Sequence, residues 1–228
     1  MRRVTDLFVL TLLLAACGPT APALNPLGSA SPVPAQPTPV QTVVLQIVPE
    51  ESEVRFRIRE QLATLPLPNE VIGTTKDVSG SAVLTAGNFD RERSKITIDL
   101  RTLKTDRTQR DRFTQRELLK TAEFPNATFV PKEIKGLNGG LPTSGEAQVE
   151  VVGDFIFMDK TRELTWKGTA RFEETGVLAS LSATTSFAEM GMTKPSVAIV
   201  LSVDDNFTLE ADLKLTREDE MGGTGRRP

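Results

Sequence analysis

The chain has 228 residues, 27 basic and 30 acidic side chains for a net charge of −3, one cysteine, and neither histidine nor tyrosine. A mildly acidic balance argues against a nucleic-acid partner or a patch for strongly anionic membranes. The missing histidine excludes Ser-His-Asp and Cys-His nucleophiles, the usual zinc sites and histidine-ligated haem.

The N-terminus reads as a targeting segment. Arg2-Arg3 form a basic start, and Leu7 to Leu14 form an apolar run too short to span a bilayer. Leu14-Ala15-Ala16-Cys17 has the form of a bacterial lipoprotein signal, with residues 1–16 removed and Cys17 acylated. Acyl chains, not a spanning helix, would then hold the protein to a membrane. Removal of Arg2, Arg3 and Asp6 takes the charge from −3 to −4. No thiol would remain for a disulfide, so the core depends on burial alone. Residues 17–41 carry seven of the fifteen prolines and no charged side chain, the composition of a tether. About 185 residues follow, enough for one domain with a sizeable core.

From residue 42 onward the pattern is that of short strands. Val43 to Val48 is the first, closed by Pro49-Glu50-Glu51-Ser52. Val54, Phe56 and Ile58 then alternate with Arg55, Arg57 and Arg59, giving one apolar and one basic face. The basic row is read as a solvated strand face, with an anion clamp as the alternative. Leu62 to Pro68 is an apolar, proline-broken loop suited to cover a barrel mouth. Gly73 to Leu84 is expected as one strand, with Gly80 and Ala82 leaving room for a bend or a ligand.

Ile96, Ile98 and Leu100 alternate with polar neighbours in a further strand. Thr105-Asp106 is expected to cap one helix running to about Lys120, which Phe124-Pro125 stops. Strand character returns at Asn126 to Val130 and again over 146–157, 163–172, 178–187 and 207–215. A Gly-rich turn lies at 136–140, and residues 218–228 are expected to be a disordered tail. Eight or nine strands with one helix indicate an all-β antiparallel sandwich or barrel. Periodicity does not choose between the two.

No catalytic set emerges. The carboxylate pairs Glu50-Glu51, Glu173-Glu174 and Asp204-Asp205 are sequence neighbours, so in a strand the two members of a pair would point to opposite faces. They are read as solvated turn residues. Arg110-Asp111 stands out more, either as a structural salt bridge or cap holding the helix over the sheet, or with Arg110 facing a ligand headgroup.

The order T-D-x3-R-D-x6-L-L-x4-F-P-x-A-x-F is carried by Thr105, Asp106, Arg110, Asp111, Leu118, Leu119, Phe124, Pro125, Ala127 and Phe129. It resembles the signature of the YceI-like family of lipocalin-like lipid-binding proteins. Ser52-Glu53-Val54-Arg55-Phe56, Val71-Ile72-Gly73-Thr74 and Val78-Ser79-Gly80 are similar to its early strands. Val152-Gly153-Asp154-Phe155, Leu164-Thr165-Trp166 and Met190-Gly191-Met192 resemble later segments. Phe113 and Phe187 depart from the pattern, standing where histidine and a basic residue are frequent, so headgroup contacts are not carried over.

The resemblance implies an antiparallel lipocalin-like β-barrel of about eight strands with one short helix, over residues 42–217. It also implies an apolar tunnel for a long isoprenoid or similar amphiphile. Candidate lining residues are Val54, Phe56, Ile58, Ile96, Ile98, Phe129, Trp166, Phe172, Phe207 and Leu209, with Arg110 toward a headgroup. No catalytic residue, metal site or cofactor is expected beyond the bound lipid. The expected partners are that lipid and a membrane reached through acylated Cys17 at the bacterial cell envelope, with homodimerisation left open. The alternative is a packed-barrel scaffold whose surface, including Arg55, Arg57 and Arg59, binds a partner.

Overall fold

The computed structural model describes residues 41–137 and 140–220. The expected leader, the lipidation site Cys17, the linker up to residue 40 and positions 221–228 lie outside the described residues.

Among the described residues, alternation of apolar and polar side chains produces twelve strands that join one antiparallel sheet. Eight of them form a closed ring: β1 (Thr42–Ile47), β4 (Val78–Thr85), β6 (Lys95–Asp99), β7 (Asn126–Lys135), β8 (Gly145–Phe157), β9 (Lys160–Glu173), β10 (Gly176–Ser186) and β12 (Asn206–Glu220). Closure comes from β1, which pairs β4 on one side and the far part of β12 on the other. The early part of β12 pairs instead with β2 (Glu53–Leu62), which carries β3 (Asn69–Thr75) and β11 (Val200–Val203) on its two edges. β5 (Asn88–Phe89) adds a short pair to β4. The free edge of β3 is bridged by Lys104, whose N–H and C=O exchange bonds of 2.9 and 2.8 Å with Thr74.

One end of the barrel gathers the β8–β9 turn, the end of β10, the start of β12 and the last residues of β2. Two helices also sit at this end, α1 (Thr108–Phe113) and α2 (Phe187–Met190). Met158 and Asp159 link β8 to β9 with φ of 49° and 55°, the paired positive angles of a two-residue hairpin turn. The opposite half is filled by close-packed side chains including Leu45, Ile47, Leu84, Val149, Phe172, Val177, Leu213 and Leu215. This half supplies the burial that a domain without a disulfide requires.

Several expectations need correction. The single strand over 73–84 is two strands, β3 and β4. The Thr75 hydroxyl accepts from the Asp77 N–H at 3.1 Å and turns the chain without glycine or proline. Gly80 makes no room for a ligand either. Its φ is +114°, and a β-carbon there would strike the Lys95 carbonyl of β6, so the glycine permits close strand approach.

The expected helix from Thr105-Asp106 to Lys120 is shorter and irregular. Thr105 and Asp106 do not cap it; α1 begins at Thr108 after Arg107 and runs into a wide π turn over Thr114–Leu118, closed by Leu119 N–H to the Thr114 carbonyl at 2.8 Å. Phe187, expected as the last residue of a strand, instead opens α2, and the rest of α2 and β11 lie in a stretch that periodicity leaves as loop. Pairing of β12 continues through Glu220 opposite Thr42, so residues 218–220 are strand where a tail was expected.

Candidate functional site

The half of the barrel beneath α1 and α2 encloses a chamber of about 310 Å³. Each wall follows from strand parity. β2 contributes Val54, Phe56, Ile58, Glu60 and Leu62, its inward-facing residues. β6 and β7 contribute Ile98 and Ala127, β8 contributes Phe155 and Phe157, and β12 contributes Phe207 and Leu209. The roof is built from Phe113, Leu118 and Leu119 of the α1 segment, Phe187 and Met190 of α2, and Val197 and Ile199 ahead of β11. Phe187 and Phe207 meet with ring centroids 5.4 Å apart.

The floor is aromatic. Trp166 stands edge-on to Phe129 with centroids 6.2 Å apart and planes at 77°, and both side chains are buried. Two glycines fix the neighbouring rings. Phe129 lies over Gly153 of β8, and Phe56 lies over Gly73 of β3; a β-carbon at either glycine would overlap the ring.

Of the residues singled out from sequence, Val54, Phe56, Ile58, Ile98, Arg110, Trp166, Phe207 and Leu209 line this chamber together. Ile96, Phe129 and Phe172 share the inward parity but do not line it. Ile96 and Phe129 form a pair one step deeper in the ladder, and Phe172 belongs to the packed half, opposite Val177 and Gly145. Glu60, Phe155, Phe157 and Met190 were not singled out, although the inward parity of Glu60 follows directly from Val54, Phe56 and Ile58.

One ion pair interrupts the apolar wall. Arg110 reaches in from α1 and donates from Nη2 to Glu60 Oε1 at 2.6 Å. The side chains keep only 15% and 9% of their exposure, so both charges are largely desolvated. Asn69 Nδ2 also donates to Glu60 Oε1 at 3.2 Å, while Asn69 Oδ1 is buried without a donor. Asp106 takes a second bond from Arg110 at the solvent side. The expected Arg110–Asp111 bridge is therefore corrected. Asp111 turns back to accept from the Thr105 N–H and Oγ1, both at 2.7 Å. That bond fixes the entry to α1, and Gln115 Nε2 fixes its other side by donating to the Arg101 and Leu103 carbonyls at 3.0 Å each.

Two of the three arginines in the basic row on β2 differ in character from a solvated face, whereas Arg59 is exposed as that reading expects. Arg55 bonds Glu210 of β12, Asp212 at 2.6 Å and Glu53 at 3.1 Å. Arg57 bonds Glu70 of β3 at 2.5 Å and Glu210 at 3.2 Å. These arginines are matched by carboxylates of neighbouring strands and leave no clamp for an external anion. Arg57, joined by Arg55, holds the Glu210 carboxyl below its ordinary range against the opposing effect of partial burial. A depressed folded-state pKa gives stability that is present above the unfolded value and lost as pH falls through the folded one. Glu210→Gln is expected to cost about 1 kcal/mol at pH 7. Urea unfolding at pH 7 and pH 3 should show the difference between wild type and variant shrinking in acid; a pH-independent difference would contradict the network.

Among the described residues no group of carboxylates converges where it could hold a metal ion. The geometry is that of an apolar receptacle with one polar pair at its mouth, a form suited to hold an amphiphile.

Solved structures support the same architecture. A polyisoprenoid-binding domain from Saccharophagus degradans, described as implicated in plant cell wall breakdown, is 14% identical and superposes with a TM-score of 0.60, covering 77% of this chain and 98% of that one. The YceI protein of Campylobacter jejuni is 18% identical with a TM-score of 0.52, covering 70% and 91%. At these identities the likeness establishes the fold. No curated protein matches significantly. The model of the YceI-like domain matches residues 45–215, a span that runs from β1 to β12 and contains every wall of the chamber, so the chain belongs to the YceI-like family.

Proposed function

We propose that this is a lipid-anchored binding protein of the bacterial cell envelope. It sequesters or carries an isoprenoid or similar long-chain amphiphile in the chamber, without catalysis. The observation that carries this reading is the apolar chamber itself, lined by Phe56, Phe155, Phe157 and Phe207 and closed below by Trp166, which Phe129 backs. The polyisoprenoid-binding description of the Saccharophagus degradans relative supports the class of cargo. Anchoring rests on the Leu14-Ala15-Ala16-Cys17 sequence. Each buried methylene contributes about 0.8 kcal/mol, so a chain filling the chamber can offset the cost of association.

The test uses the full-length protein in fractionated cells. Wild type should be recovered with the membranes, and Cys17→Ser should be released from them. Organic extraction of the purified protein, followed by mass spectrometry, should yield a stoichiometric long-chain lipid. A clean extract together with no saturable uptake of polyprenyl alcohols would overturn the cargo reading.

A further inference from the structure

The barrel wall has an open seam. Pairing between β9 and β10 runs from Glu173 and Gly176 to Lys167 and Ser182 and stops there. Beyond that point β9 continues only with β8, as far as Lys160, and β10 continues only with β12, as far as Ser186. Leu164, Thr165, Ala183 and Thr185 thus border a cleft between two strands that have separated. Met190 of α2 plugs its inner side and lines both this cleft and the chamber.

Arg162 projects into the cleft. It has the inward parity of Leu164 and Trp166, and its Nη1 is buried with no hydrogen-bond acceptor. Its Nη2 and Lys160 Nζ converge over Gly191. A β-carbon on that glycine would overlap Arg162 Nη2 and lie 3.1 Å from Lys160 Nζ. Among the described residues, neither cation has a carboxylate within ion-pair distance. The other charged groups around the cleft are accounted for. Glu163 pairs with Lys132, Lys167 pairs with Glu150, and Glu189 is held by the Thr185 and Ser186 hydroxyls at 3.1 Å each. Arg110, by contrast, is already neutralised by Glu60 and Asp106.

Two cations crowded around one point, one of them with a buried unused donor, are destabilised until an anion joins them. We infer that the seam binds the anionic headgroup of an amphiphile, a phosphate or carboxylate held by Arg162 and Lys160, with the tail passing Met190 into the chamber. This rests on the chamber holding an apolar tail. It places the headgroup at the β9–β10 seam and not at the Glu60–Arg110 mouth.

Matched probe pairs test it on the full-length protein: farnesyl phosphate against farnesol, and palmitate against hexadecanol. The charged member of each pair should bind at least about tenfold tighter at low salt. Lys160→Met/Arg162→Met should abolish that preference while leaving both alcohols bound as before. Arg162→Lys should keep part of it, and an unchanged melting temperature in each variant separates binding from folding. Equal affinity within the pairs, or a preference that survives the double variant, would overturn the headgroup site while leaving the chamber reading intact. Failure of all four probes would remove both. Competition by inorganic phosphate as strong as that by farnesyl phosphate would overturn the amphiphile and leave a site for small anions.

Discussion

Replacing Arg110 by methionine is expected to lower the unfolding free energy by about 3–5 kcal/mol. The variant leaves Glu60 inside the barrel with Asn69 Nδ2 as its remaining partner, in surroundings formed by Ile58, Leu62 and Val71. The reverse substitution, Glu60→Leu, should cost less, about 1–3 kcal/mol, because Arg110 keeps Asp106, and that carboxylate is 65% exposed. The two losses are not additive. Glu60→Leu/Arg110→Met removes both charges together and should return to within about 1 kcal/mol of wild type, since apolar side chains of similar size satisfy this site without a desolvated charge. Urea unfolding of the four proteins at pH 7 completes the cycle. If the double variant is as unstable as Arg110→Met, the pair contributes packing that methionine and leucine cannot replace, and the argument from desolvated charge fails. The pair fixes α1 over the chamber, so its value lies in where the roof sits more than in net stability.

How much of this was legible in the sequence depends on what strand parity can and cannot report. Parity assigns a face, and it assigned Val54, Phe56, Ile58, Trp166 and Leu209 to the interior, where they line the chamber. It carries no depth. Phe172 satisfies the same alternation yet lies among packed side chains, because the register with β8 and β10 sets its height, and register is a property of pairs of strands. The same limit hid the charge ladder. Arg55 and Arg57 alternate as a solvated row would, but Glu210 and Asp212 lie more than 150 residues away and come alongside only through the β2–β12 pairing.

Two inward charges are visible in the sequence by the same parity. Glu60 continues the series Val54, Phe56, Ile58, and Arg162 precedes Leu164 and Trp166 by the same step of two. A charge on the apolar face of a strand is costly unless partnered, and that cost is the signal. The irregular roof was harder. The π turn over Thr114–Leu118 and the four-residue α2 are set by tertiary packing, and a helix this short has little propensity of its own to show.

The aromatic floor leads to the second large effect, on how affinity depends on the length of the cargo. In wild type, straight-chain alcohols of increasing length should gain about 0.8 kcal/mol, nearly fourfold in affinity, for each methylene that becomes buried. The gain should cease once the tail meets Trp166, which Phe129 backs from below, because further methylenes then remain at the mouth. A volume of about 310 Å³ stands at the small end of the ~300–1,000 Å³ seen for small-molecule sites, so the plateau should arrive early in the series. Trp166→Ala removes the floor. It should cost about 3–5 kcal/mol of stability and move the plateau toward longer chains. Trp166→Phe, with a smaller loss of volume, should shift it less and provides a control that folds securely. Affinity measured across the series for all three proteins separates a floor from a general apolar surface. A wild-type gain that continues undiminished through the longest alcohols would mean that the packed half opens to admit the tail. An unchanged plateau in Trp166→Ala would instead place the limit at the roof, where Phe113, Leu119 and Met190 close over the mouth.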